Sequence, residues 1–233
     1  MQQPQFAAQI DWSNPLTIGL IDSFNANGPL MLSNGVPMQI SGTTGGGSKA
    51  TSAGNAISYV GSITGVNYKN SAPSPNVDEV SMFVIAIPND ITASNFPILS
   101  YNNSGGTPPL LHIGTYSAGG TPAFRVRDSL SVNQEITGSD PAWQNGVPAL
   151  LVATRSQSKG ITKLFINGRL LASVATVTQT LTSFDRTAIG GFYRVGAFSN
   201  PWTGSVVTGG TWNRALSDQE VASLSANPWQ VFK

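Results

Sequence analysis

Runs of four to eight residues rich in Val, Ile, Leu, Phe, Tyr and Thr recur along almost the whole chain, each bounded by clusters of Gly, Pro, Asn and Ser. Runs this short are strand-length, and β-branched and aromatic side chains suit a pleated, half-buried surface. Their regular recurrence between turn formers is the spacing of an antiparallel sandwich or barrel. The strands expected on this ground are Leu16 to Ile21, Ile57 to Val60, Val80 to Ile87, Leu110 to Gly114, Ala123 to Arg127, Ala149 to Thr154, Thr162 to Ile166, Leu170 to Val174 and Ser205 to Trp212. Val80 to Ile87 (VSMFVIAI) is almost wholly apolar, which predicts a central strand covered on both faces. In KLFINGRLLA, Asn167-Gly168 separates two such runs and suits the positive φ angles of a type I′ hairpin with a tightly fixed register.

One segment departs from the pattern. Ser217 precedes a short apolar-periodic stretch and Glu220 follows three positions on, which is a capping box. Leu216 and Val221 stand where a hydrophobic staple is expected, and Asn227-Pro228 cannot prolong a helix. The spacing therefore predicts one helix of about two turns at the C-terminal end. Trp229 and Phe232 are expected to pin that end against the N-terminal strand, and Trp12 and Trp212 to act as packing residues.

The 233 residues are 40% hydrophobic, enough for a full core, and no shift in composition divides them. A short arm over residues 1–10 and a single domain over 11–233 are expected. Charged residues make up 10%, against roughly 25% in ordinary soluble domains, so neutral polar groups must carry solubility. A net charge of +1 without clusters offers no footprint for nucleic acid or an anionic membrane. Without cysteine there is no disulfide framework and no thiolate site. MQQPQFAAQIDW has neither the basic start nor the apolar run of a signal peptide, and no window approaches the length of a membrane span. Gly42 to Gly47, Ser71 to Asn76 and Asn102 to Pro109 are expected loops; the glycine run lacks the Gly-Lys-Ser/Thr ending of a phosphate loop.

Three blocks, GVPALLVATRS (Gly146 to Ser156), KLFINGRLLAS (Lys163 to Ser173) and the stretch from Ile189 to Leu224 ending in ALSDQEVASL, together resemble the laminin-G-like, concanavalin-A-like jelly-roll superfamily. The resemblance implies an all-β, two-sheet antiparallel jelly-roll sandwich with one short C-terminal helix. More narrowly, DWSNPLTIGLIDSF near the start and ANPWQVF at the end resemble small jelly-roll virion proteins of tailed bacteriophages and prophages.

Glucanases of this superfamily need two carboxyls about 5 Å apart on one strand face. The chain has three glutamates: Glu79 beside Asp78, Glu135 alone, and Glu220 in the capping box, so no enzyme activity is expected. His112, the one histidine, is expected to be a partly buried, hydrogen-bonded strand residue. No cofactor is expected, but laminin-G-like relatives often bind calcium through loop carboxylates, which makes Asp90, Asp128 and Asp140 its candidate ligands. A sugar platform would need aromatic rings, and Trp143, Trp202, Tyr193 and Tyr101, in or near turn-rich segments, are the candidates; plugging the ends of the sandwich is their alternative role. Arg125 and Arg127 alternate on one strand face and are expected to mark a solvated sheet edge.

On the phage resemblance the expected function is a non-enzymatic virion surface protein, a capsid decoration or head fibre made in the bacterial host cytoplasm. It would act through contacts with other capsid or tail proteins and as a homo-oligomer. The alternative is a lectin-like carbohydrate-binding module or tail-associated receptor-binding protein that recognises host surface glycans.

Overall fold

The computed structural model describes residues 9–26, 28–31, 36–42, 47–59, 65–70, 74–92, 97–105, 109–116, 120–180, 183–194 and 197–233. Residues 1–8 of the expected arm, and parts of the three expected loops, lie outside them.

Two antiparallel sheets stack face to face. The larger runs, in spatial order, through Arg169–Ala175, Ile161–Ile166, Ala149–Ser156, Glu79–Pro88, Gly204–Trp212, Leu20–Asn25, Gly28–Met31 and Val36–Pro37. Gly54–Tyr59 also pairs with Gly204–Trp212 and carries Gly47–Thr51 at its side. The smaller runs through Asn133–Thr137, Thr121–Arg127, Leu110–Tyr116, Pro97–Asn102, Arg186–Ile189, Gly65–Asn70 and Gln39–Gly42. This is a two-sheet sandwich, as the strand pattern allows, and the jelly roll that the superfamily resemblance implies.

The apolar run at Val80 to Ile87 shows how the layers form. Val80, Met82, Val84 and Ala86 point between the sheets, where they meet Leu99, Leu111, Phe124, Leu151 and Val206. Phe83, Ile85 and Ile87 point the opposite way into a second apolar layer. That layer is completed by Leu150, Val152, Phe165, Val207 and Trp212 from neighbouring strands, and by Leu216, Val221, Leu224, Trp229 and Phe232 from the C-terminal segment. Period-2 alternation thus places every second side chain in a different core, and a strand buried on both sides leaves few polar positions: Ser81, fully buried, accepts from the Leu216 amide at 2.8 Å.

The helix, Asp218–Ala226, starts as expected: the Ser217 hydroxyl accepts from the Glu220 amide at 3.2 Å, and the Glu220 carboxylate accepts from the Ser217 amide at 2.8 Å. An Arg214 guanidinium 2.7 Å away, together with these bonds, holds the Glu220 carboxyl down to about 2. The last residues then return to the start of the chain, where Gln9 and Lys233 exchange two backbone hydrogen bonds and Ile10 bridges Phe232. Trp212 sits beneath this cover at 0% exposure, its indole donating to the Leu16 carbonyl at 2.6 Å.

Several expectations are corrected. Residues 15–17 form a short 3₁₀ turn, because Asn14 caps it and Pro15 starts it, so the first strand begins only at Leu20. Trp12 is 59% exposed and is not a packing residue. Asn167 (φ +49°) and Gly168 (φ +81°) make the expected turn, but the pairing beyond it shifts between Leu164 and Phe165, so its register is not uniform. Thr121–Arg127 is not an edge: Leu110–Tyr116 flanks one side and Asn133–Thr137 the other.

The two sheets are also tied by a charged pair in the interior, Lys69 and Asp22, 3.9 Å apart with both side chains buried. Burial lowers the Lys69 ammonium, and Asp22 opposes that shift. Among the described residues no helix is long and apolar enough to cross a membrane.

Candidate functional site

The register of the smaller sheet decides which side chains leave the core. Leu110 stands opposite Arg127, and His112 opposite both Arg125 and Ser100; Arg125 in turn faces Glu135. Directly opposed residues share a face, so these lie on the outer surface, while Leu111, Val126, Phe124 and Ile136 lie inside. Tyr68 and Arg186 join the outer set through the Gly65–Asn70 and Arg186–Ile189 pairing.

A two-stranded hairpin, Phe192–Arg194 with Ala197–Ser199, folds over this outer face. It springs from Gly190, whose φ of +79° and whose bare Cα against the Tyr59 ring both require glycine: a Cβ there would lie 2.5 Å from the ring. Gly190 donates to the Ile98 carbonyl and accepts from the Trp202 amide, which fixes the hairpin at both ends. Ser100, on the sheet below, donates to the Gly191 carbonyl at 2.8 Å.

On one flank of the hairpin is a cavity of about 300 Å³. The sheet lines it with His112, Tyr116, Arg125 and Arg127, and the hairpin with Phe192 and Arg194. Cations and rings alternate around it: Arg125 lies over the Tyr116 ring at 4.9 Å and Arg194 over the Phe192 ring at 4.7 Å. Arg125 also bonds Asn133 at 2.7 Å and lies 3.9 Å from Glu135. His112 is 1% exposed, packed edge-on against Phe192 at 5.2 Å, and its Nδ1 has no hydrogen-bond partner among the described residues. Burial, helped by Arg125, Arg194 and Arg127, pushes this imidazole down to about 3, so it is neutral at physiological pH. Burial likewise lowers the Arg127 and Arg194 guanidiniums, with Arg125 adding repulsion to each.

On the other flank Tyr193 stacks on Tyr68, ring centroids 3.7 Å apart, and Arg186 lies over Tyr193 at 4.6 Å. Both tyrosines are half-buried, so the pair forms part of the open surface. A neighbouring Tyr193 hydroxyl and burial raise the Tyr68 phenol, which stays protonated.

Of the four expected sugar-platform rings, only Tyr193 is at this surface. Trp143 (5% exposed), Trp202 (3%) and Tyr101 (0%) are in the inter-sheet core, where a ring has no face to offer a sugar. Trp143 donates its indole N–H to the Gly120 carbonyl at 3.0 Å, as an end plug does. The three aspartates proposed for calcium are not brought together either. Asp90 caps its own turn through Thr92, Asp128 accepts from the Leu130, Val132 and Thr180 amides, and Asp140 accepts from the Ala142 amide and pairs with Arg169. Among the described residues no group of three or more His, Asp or Glu could hold a metal ion. His112 departs from the expected hydrogen-bonded histidine, its Nδ1 facing no partner.

Tyr116, Phe192, Arg194 and Tyr68 were not singled out in the sequence. The signal available for them was the pattern Arg-x-Arg at 125–127 with the aromatic-basic triplet Phe192-Tyr193-Arg194, but only the register brings the two together.

The family model described as the concanavalin A-like lectin/glucanases superfamily matches residues 84–222. No curated protein matches the chain. Among solved structures, domain 4 of a GH43 extracellular arabinanase from Geobacillus stearothermophilus, in complex with arabinotriose, is similar with a TM-score of 0.65 and 15% identity over 94% of this chain and 100% of that one. The CBM40 of Ruminococcus gnavus IT-sialidase, bound to α2,3 sialyllactose, is similar with a TM-score of 0.55 and 17% identity over 73% and 96%. The binding domain of botulinum neurotoxin serotype D is similar at 0.65 and 13% over 93% and 54%. Likeness at such identities speaks for the fold, whereas the family match spans more than half of the 233 residues: the chain belongs to the concanavalin A-like lectin/glucanase superfamily.

Proposed function

We propose that this protein is a non-catalytic glycan-binding domain and that its binding surface is the outer face of the smaller sheet, on both flanks of the Phe192–Ser199 hairpin. The observation that carries this reading is the surface itself. A half-buried cluster of Tyr68, Tyr193 and Arg186 presents aromatic surface to the apolar side of a pyranose, and the cavity on the other flank supplies donors for its hydroxyls. The sugars held by two of the similar structures, arabinotriose and sialyllactose, support it. Glu79 is taken up by Ser156 and Ser158, Glu220 by the helix cap, and Glu135 lies beside Arg125, so each glutamate has a local role. A paired-carboxylate hydrolytic site therefore has no support among them.

Display on a bacteriophage particle, as a decoration, head-fibre or tail-associated protein, is the setting that the opening and closing segments suggest for such a domain. Host surface glycan would then be the ligand. Detection of the chain at a countable copy number in purified particles tests the setting. A glycan array probed with the labelled chain, followed by titration of the best hits, tests the function. Saturable binding that Tyr193→Ala and Tyr68→Ala weaken is expected; association with purified capsids and no sugar binding would overturn the glycan reading in favour of a purely protein-contacting role.

A further inference from the structure

We propose that the cavity at Arg125, Arg127 and Arg194 takes the carboxylate of an acidic sugar, which rests on the glycan-binding reading and narrows it to one ligand class. The chain has only 12 lysines and arginines, and three of them line this one cavity. They come from two separate elements, the Thr121–Arg127 strand and the hairpin, so folding rather than sequence adjacency gathers them. Among the described residues the titratable groups beside them are His112, Tyr116 and Glu135, and the Glu135 carboxylate lies against Arg125, 3.9 Å away.

Gathering like charges on a partly buried wall is unfavourable: burial first, and the neighbouring guanidiniums after it, lower Arg127 and Arg194. A bound anion relieves that repulsion. Arginine is also the side chain whose planar fork meets a planar carboxylate with two parallel hydrogen bonds, a match that a lysine ammonium lacks.

His112 supplies an independent observation. It is 1% exposed, it lines the same cavity, and its Nδ1 has no hydrogen-bond partner among the described residues. Buried polar atoms are rarely left unsatisfied, and an imidazole that lines a cavity with its Nδ1 unpartnered is suited to take up a ligand hydroxyl or carboxyl oxygen. Being neutral, the imidazole adds a directed hydrogen bond without adding charge. Tyr116 and Phe192 supply ring faces on either side. A volume of about 300 Å³ is at the small end of ligand pockets, which suits one terminal sugar rather than a chain threaded through.

Calorimetric titration of the full chain with matched pairs, sialyllactose against lactose and digalacturonate against its methyl ester, isolates the acid group. The acidic member is expected to bind about tenfold or more tightly than its neutral partner. Its affinity should fall severalfold between roughly 50 and roughly 500 mM NaCl, with the neutral sugar little changed. Arg127→Gln and Arg194→Gln should each remove most of the preference, and Arg194→Lys should restore part of it, since it returns the charge without the fork. The salt series on the unaltered protein keeps the test decisive if a variant fails to fold. Equal affinity within both pairs overturns the acid subsite and leaves the glycan reading standing. Sulfated lactose binding as tightly as sialyllactose overturns the carboxylate assignment in favour of oxyanions at large. Binding of citrate with no binding of any sugar overturns the glycan reading itself.

Discussion

The two outer faces of this sandwich are opposites. Behind the larger sheet, Phe83, Ile85, Leu150, Val152 and Trp212 are sealed by the C-terminal helix and the joined termini. In front of the smaller sheet, the hairpin of Phe192–Arg194 and Ala197–Ser199 covers one side, from Pro97–Asn102 to Gln39–Gly42, and arginines, tyrosines and a histidine lie against it. Both arrangements use the same alternation of side chains along a strand. They differ in what fills the outward positions: apolar groups that demand a cover on one face, and amphipathic or cationic groups that tolerate water on the other. A sheet face left open and furnished with rings and guanidiniums is where a ligand can be met, and the sealed face is where stability is stored.

The largest expected effect is on the sealed face. Trp212→Ala removes the largest fully buried side chain together with its bond to the Leu16 carbonyl, and should cost about 3–5 kcal/mol. Urea unfolding measures the loss, and glycan affinity of the folded fraction should be unchanged. A variant that keeps its stability and loses binding would break the division between the faces.

Next comes the pH response of the open face. The His112 imidazole is at about 3 when folded, against an ordinary value of 6.5, so protons favour the unfolded chain between those values. Stability is therefore full above pH 6.5 and declines as pH falls toward 3, with a slope of about 1.4 kcal/mol per unit from this one group. Glu220 acts separately, its stabilising contribution lost only as pH falls from 4.5 toward about 2. Comparing His112→Gln with the parent by urea unfolding at pH 6.5 and 4.5 isolates the histidine. The parent should lose about 2–3 kcal/mol more than the variant over that interval, and parallel losses would contradict its buried neutral state.

Smaller effects follow. Ser217→Ala removes the helix cap and should cost about 1 kcal/mol, read from the thermal midpoint. Arg194→Gln, at a half-buried position on the hairpin, should change stability by less than about 1 kcal/mol. Its consequence belongs to binding, and a large stability loss would show the hairpin to be a structural cover like the helix.

The sheets and the sealed face were largely legible in the sequence. VSMFVIAI announces a strand with two covered faces, and Ser217, Glu220, Leu216 and Val221 announce the helix that provides one of the covers. Those signals are local, set by periods of two residues or by a cap three residues long. The site was much less legible. Arg125 and Arg127 resembled an edge because nothing near them in sequence says that Asn133–Thr137 will pair beyond them. Trp143 and Trp202 stood out by residue type and turn-rich context, yet the chain uses these rings to close the core. Tyr116 and Arg194 meet in one cavity only through strand register and a hairpin that starts at Gly190. Contacts of that range are written in topology rather than in any short motif.

The central claim is that the open face, and not the sealed one, meets the ligand. Titrating sialyllactose into the isotopically labelled protein and following backbone amide resonances tests it most directly. The account predicts shifts concentrated at Tyr116, Arg125, Arg127, Phe192 and Arg194, with Leu150, Val221, Leu224 and Trp229 unmoved. Shifts centred on the helix and the joined termini, with the arginine cavity silent, would contradict it.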